Sequence, residues 1–220
     1  MAGPCETSPV SDAETIWMTA AGAIGLAGFV AGSYLTDLPR VDSDLEDALA
    51  RVSHRRSAVL SGSALSVMGG GLLLWPIAAV STAGSGAAWR SLALFSVAVA
   101  SLTMSFLVIT AVLTAALAWR DPTALSRPTA RLVLDGLHLA VWSVSGPLAA
   151  VMVTATTAVG LQNHVLGPAV VIAAVAKVGT VAIEVAGIGT RTGWNAGGWA
   201  KGASGYATVT WFALVLAALA

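Results

Sequence analysis

The chain has 220 residues, of which 56% are hydrophobic and 10% charged, and its eleven basic and eleven acidic side chains cancel to zero net charge. A soluble domain carries roughly 25% charged residues, so this chain falls far short of the polar coat a water-soluble globule needs. The balanced charge leaves neither a basic patch for nucleic acid nor an acidic solvating tail, and the sole cysteine, Cys5, excludes an intrachain disulfide and a cysteine-based metal site.

Mean hydropathy is +0.81, and the apolar residues are grouped. Residues 15–36, 57–89, 91–119 and 136–176 contain no Asp, Glu, Lys or Arg. A helix needs about 20 apolar residues to cross about 30 Å of hydrocarbon. The first 14 residues, with Pro4, Pro9, Glu6, Asp12 and Glu14, read as a disordered tail. Span one is expected over 15–35, and it is not read as a cleaved signal, whose leading region is basic, because the first basic residue is Arg40. The loop after it carries a helix of its own. Ser43 and Glu46 form a capping-box pattern, Leu45, Ala48, Leu49 and Val52 share one face, and acidic residues precede Arg51, Arg55 and Arg56 as the helix dipole favours. This predicts an amphipathic surface helix, either an interfacial connector or a gate, leading into span two over 57–80.

Residues 81–88 read as a small-residue turn, span three as 91–119, stopped by Asp121-Pro122, and span four as 129–159 with a kink at Gly146-Pro147. A short loop through His164 leads to span five over 169–189, then a Gly-rich loop to span six over 204–220. Span six has about 17 residues, or roughly 25 Å, barely enough to cross. Trp17, Trp75, Trp89, Trp119, Trp194 and Trp199 fall at the expected ends, where amphipathic rings favour the interface. The expected fold is all-α: a polytopic transmembrane bundle of about six spans forming one domain over 15–220.

Loops one, three and five hold nine Lys and Arg, whereas the N-terminal tail and loops two and four hold only Arg90. That asymmetry puts the odd loops in the cytoplasm and both termini outside. Nine Arg against two Lys, with abundant Ala, Gly and Val, suggest a GC-rich bacterial genome and hence a bacterial inner membrane. Small residues recur every four positions, at Gly28 and Gly32 in span one and at Gly62, Ser66 and Gly70 in span two. They permit close helix approach, either within the chain or against a second copy or partner subunit.

Ionisable residues inside spans are costly and mark interiors, cavities or each other. Asp135 and His138 share a face of span four, and Lys177 and Glu184 share a face of span five. If Arg131 and Arg191 mark one boundary, His138 and Glu184 each lie roughly 10 Å deep, which makes a contact between them geometrically plausible. Two readings stand. In one the four residues form a proton or cation pathway, with His138 titrating near neutral pH. In the other they form a structural polar cluster, Asp135 pairing with Arg131 and Lys177 with Glu184 or a backbone carbonyl. Haem would need two histidines at matched depth, which His54, His138 and His164 do not supply, and Gly187, Gly189 and Gly193 lack the spacing of a nucleotide loop. No G-x-S-x-G, H-E-x-x-H or metal-spaced carboxylate cluster occurs. The expectation is a non-catalytic membrane component or small transporter-like protein without cofactor, in contact with the lipid bilayer and not with nucleic acid.

His54-Arg55-Arg56 before span two, Leu134-Asp135-Gly136-Leu137-His138 opening span four, Ser145-Gly146-Pro147 within it and Leu166-Gly167-Pro168 before span five occur in a familiar order. Over about residues 15–190 the chain resembles a family of six-helix membrane proteins common in actinobacteria, a domain of unknown function. The resemblance implies the six-span fold and supplies no mechanism. Family members often carry a basic residue after the proline entering span five, where this chain has Ala169-Val170.

Overall fold

The computed structural model describes residues 12–36, 44–83, 89–120, 124–186 and 199–220. The expectations for most of the N-terminal tail with Cys5, for Ser43, for Asp121-Pro122, for the Gly-rich loop and for Trp194 lie outside these residues, as do the side chains of Trp199 and Lys201. Among the described residues there is no strand. The elements are α1 (Asp12–Thr36), α2 (Leu45–His54), α3 (Arg56–Thr82), α4 (Arg90–Trp119), α5 (Arg127–His138), a π-helical segment (Leu139–Ser145), α6 (Gly146–Gln162), α7 (Pro168–Ala186) and α8 (Trp199–Leu219). The chain α5–π–α6 forms one long span. Six helices are long and apolar enough to cross a membrane. This is the architecture of a multi-pass membrane protein.

Span six is longer than the sequence suggests. Trp199-Ala-Lys-Gly reads as loop because of Lys201 and Gly202, yet α8 starts at Trp199 and has 21 residues. At 1.5 Å per residue that is about 31 Å, enough to cross. Span two is also extended, through Thr82, so that Ser81 belongs to the last helical turn and not to the turn that follows.

The helices close into a ring in the order α1, α3, α4, α6, α7, α8, with α8 returning to α1. The centre is filled by Leu73, Ile77 and Val80 of α3, Met152 and Val153 of α6, and Trp211 and Val215 of α8. Lipid supplies no hydrophobic drive between spans, so association rests on close packing and interhelical hydrogen bonds.

The closest packing is the seam of α1 and α3. A Cβ placed on Gly32 would lie 2.7 Å from the Gly62 carbonyl oxygen, and one on Gly62 would lie 2.8 Å from that of Gly32. Nearly two turns further along α3, a Cβ on Gly69 would stand 2.6 Å from the Gly25 oxygen and 2.9 Å from the Gly28 carbonyl carbon. Only glycine allows the two backbones this near. The small faces of spans one and two are therefore used on each other, with one change of register: Gly69 and not Gly70 lies in the seam, while Gly70 faces Met104 of α4.

Hydrogen bonds between spans hold the far half of the bundle. Ser81 Oγ of α3 donates to Ser96 Oγ of α4 at 3.3 Å, and Ser96 Oγ lies 2.7 Å from Thr156 Oγ1 of α6. Trp211 Nε1 of α8 donates to Thr157 Oγ1 at 2.9 Å. The exposed tryptophans Trp17, Trp89 and Trp119 sit at span ends, Trp75 lies seven residues before the end of α3, and Trp211 is fully enclosed.

The surface helix α2 forms as its pattern predicts, with Ala48, Leu49 and Val52 buried. Its cap is Asp44: the carboxylate Oδ1 accepts from the Glu46 and Asp47 amides at 2.8 and 3.4 Å. A turn at Arg55 separates α2 from α3, although the Arg55 and Val59 amides keep the hydrogen-bonded chain continuous across it. The apolar face of α2 is turned into the bundle, against Leu117 and Ala118 of α4 and Ala130, Leu134 and Leu137 of α5. Exposed Glu46 and Arg127 of α5 form an ion pair beside this contact.

Candidate functional site: the polar set of spans four, five and six

Span four changes its winding where the site lies. Pro147 has no amide hydrogen, and its ring crowds the carbonyl four residues back. The segment Leu139–Ser145 answers this with π-type winding, and Pro147 then serves in the first turn of α6. The sequence reading expected a kink at Gly146-Pro147; the structure shows a widened turn that ends there. Such segments are frequent at functional sites. Ser145 Oγ is hydrogen-bonded to the Val141 carbonyl, inside the widened stretch.

Burial divides the four ionisable residues. Asp135 stays at the rim, where its carboxylate is 3.3 Å from Arg131 Nε, and both side chains are about two-fifths exposed (41% and 43%). An exposed pair of this kind contributes about 0.3–0.5 kcal/mol. His138, Lys177 and Glu184 are each only 3% exposed. His138 is the last residue of α5, and its Nδ1 lies 2.8 Å from the Leu134 carbonyl oxygen. A carbonyl only accepts, so Nδ1 carries the proton, and Nε2 is the acceptor nitrogen whenever the ring is neutral.

Lys177 and Glu184 lie two turns apart on the buried face of α7, near enough for their charges to be coupled. Lys177 Nζ donates to Ser204 Oγ of α8 at 2.6 Å, with the Ser204 carbonyl at 3.5 Å. The Glu184 carboxylate faces span four, its Oε2 only 3.4 Å from where a Cβ on Gly146 would stand. A methyl at 146 would meet the carboxylate at contact distance, so the end of the π segment lies directly beside Glu184.

No family model, curated protein or solved structure matches this chain. The chemistry of the buried set is therefore the guide to activity. Among the described residues no three His, Cys, Asp or Glu side chains are placed to share a metal ion. The set instead holds one ammonium and one carboxylate in apolar surroundings, linked to a histidine-bearing helix through a segment of unusual winding. Such an arrangement can exchange a proton or a small cation against a fixed positive charge.

Ser204 has no signal of its own in the sequence, where it reads as the first residue of a short span. The hydroxyls of Ser81, Ser96, Thr156 and Thr157 were equally silent, since a serine or threonine in a span can bond to its own helix. Thr103 does so, with Val99.

Proposed function

We propose that this chain is a non-catalytic, small transporter-like protein of the cell membrane, and that Glu184 and Lys177, with His138, form the site at which a proton or small cation is handled. One observation carries the reading: opposite charges share the buried face of α7, against α8 on one side and the π-wound part of span four on the other. A charged side chain in the middle of a span costs on the order of 2.5–3.5 kcal/mol on insertion scales, and such residues are retained where they serve a pathway or a relay. Gly146 supports the same reading, because it sets the end of the π segment directly beside the carboxylate.

The Arg-rich end, with Arg55, Arg56, Arg120, Arg127 and Arg131, is assigned to the cytoplasm of a bacterial cell and both termini to the outside, following the charge asymmetry. Reporter fusions at the two termini test this, and a cytoplasmic signal from both overturns it.

The function is tested by reconstituting the full chain in liposomes carrying an internal pH dye, with an imposed pH or alkali-cation gradient. The expected result is a flux in the wild type that Glu184→Gln abolishes while the variant stays folded in detergent. A wild type without flux of protons, sodium or potassium overturns the proposal. So does a Glu184→Gln variant that keeps full flux. Unfolding of Glu184→Gln and His138→Ala without any effect on the residual flux per folded molecule would assign the cluster a structural role instead.

A further inference from the structure

The charges on the surface helix are segregated, and the structure separates their surroundings. The acidic first turn of α2 is answered within the chain, by the Glu46–Arg127 ion pair. Its basic last turn leads through Arg55 directly into Arg56, the first residue of α3. Arg56 in turn is held over the end of α4: its guanidinium lies 5.4 Å from the centre of the Trp119 ring. Arg120 follows Trp119 immediately, so the α2–α3 joint and the end of α4 bring Arg51, Arg55, Arg56 and Arg120 to one corner.

No described acidic side chain is ion-paired with Arg51, Arg56 or Arg120, and all three are exposed. Trp119 is 66% exposed in the same corner, as an indole at the level of lipid headgroups would be. The corner thus offers an aromatic plate at the edge of the apolar belt, with guanidinium groups just outside it. Guanidinium groups match phosphate oxygens two at a time, and a cluster of them at the end of a span attracts anionic headgroups. The other end of the bundle differs: of the described residues there, Arg90 is the only Arg or Lys.

We propose that this corner is a binding site for the phosphate headgroup of an anionic phospholipid, with Arg56 and Arg120 as its main contacts and Trp119 as the plate against which the glycerol region rests. The site is independent of the polar set within the spans.

The test uses the purified full chain in nanodiscs of phosphatidylcholine alone or with phosphatidylglycerol, read by native mass spectrometry of retained lipid and by thermal unfolding. Retention of phosphatidylglycerol over phosphatidylcholine is expected. It should fall about fivefold for Arg56→Gln or Arg120→Gln singly and further in the double variant, as loss of one surface charge each implies. Arg90→Gln should leave it unchanged. Raising salt to half-molar should erase the preference. Equal retention in wild type and double variant overturns the proposal, as does an equal loss with Arg90→Gln. Inorganic phosphate alone should give no thermal shift; a shift equal to that of the lipid would overturn the assignment to a headgroup and make the corner a free-phosphate site.

Discussion

Replacing Gly69 by alanine tests the seam of α1 and α3 with an internal control two residues away. The added methyl would stand 2.6 Å from the Gly25 carbonyl oxygen and 2.9 Å from the Gly28 carbonyl carbon, where ordinary contact begins near 3.4 Å. Both obstacles are backbone, so no side chain can swing aside and the helices must part by about 1 Å. A gap of 0.5–1 Å forfeits roughly a quarter to a half of each contact's attraction, and forced overpacking costs about 1–3 kcal/mol. Gly71 lies on the same helix with nothing within 4 Å of its would-be Cβ. The gain in helix propensity from Gly to Ala, up to about 1 kcal/mol, is common to both variants and cancels in their difference. Gly69→Ala should therefore be less stable than Gly71→Ala by about 1–3 kcal/mol, or roughly 4–8 °C in Tm for a 2 kcal/mol loss. Thermal unfolding in detergent, repeated as an SDS titration, measures this. A Gly69→Ala variant as stable as Gly71→Ala would refute the close-packed seam.

Three further tests, with five substitutions between them, probe other parts of the fold. Trp211→Phe removes the indole donor to Thr157 and should cost about 1–2 kcal/mol, whereas Trp211→Ala, which empties the centre of the core, should cost about 3–5 kcal/mol; similar losses in both would show that the hydrogen bond and not the packing dominates. His164 has a φ of +56° in the loop between spans four and five, so His164→Gly should raise stability by about 1 kcal/mol, and a lower Tm would contradict the left-handed turn. Lys177→Met, which leaves the buried Glu184 carboxylate without the neighbouring ammonium, should destabilise by about 3–5 kcal/mol, and Ser204→Ala should destabilise by about 1–3 kcal/mol because the ammonium loses its hydroxyl acceptor; an SDS titration unchanged by Ser204→Ala would mean that the Lys177–Ser204 bond is not the link between spans five and six.

The spans were readable because absence of charge over 20 or more residues is a one-dimensional property that lipid imposes directly. The face of α2 was readable for a similar reason: one turn of helix brings Leu45, Ala48, Leu49 and Val52 together without help from the rest of the fold. What covers that face was not, because Leu117 and Leu134 are far away in the chain. Gly69-Gly70-Gly71 shows how fine the remaining ambiguity is. From Gly62, seven positions make nearly two full turns at about 100° each, but eight positions overshoot by about 80°. Four-residue spacing therefore points to Gly70, while the helix itself presents Gly69. In the site, burial of Lys177 and Glu184 followed from their position in span five, and the Arg131–Asp135 pair followed from helical spacing. The Ser204 tether and the Ser96–Thr156 contact depend on how separate spans are rotated, with partners 27 and 60 residues apart. Neither composition nor periodicity carries that information.

The placement of α2 also bears on the order in which the molecule assembles during synthesis. Its chain position lies between α1 and α3, which can close their glycine seam as soon as both have emerged. The surfaces that receive Ala48, Leu49 and Val52 belong to α4 and α5 and are made some 65–90 residues later. For that interval the apolar stripe of α2 has only Val59 and Leu60 of α3 beside it, and an amphipathic helix in that position is held at the lipid interface. Docking of α2 is thus a late event that reports on completion of spans three and four, and a chain truncated before residue 117 should leave α2 open to protease while its first hairpin is already formed.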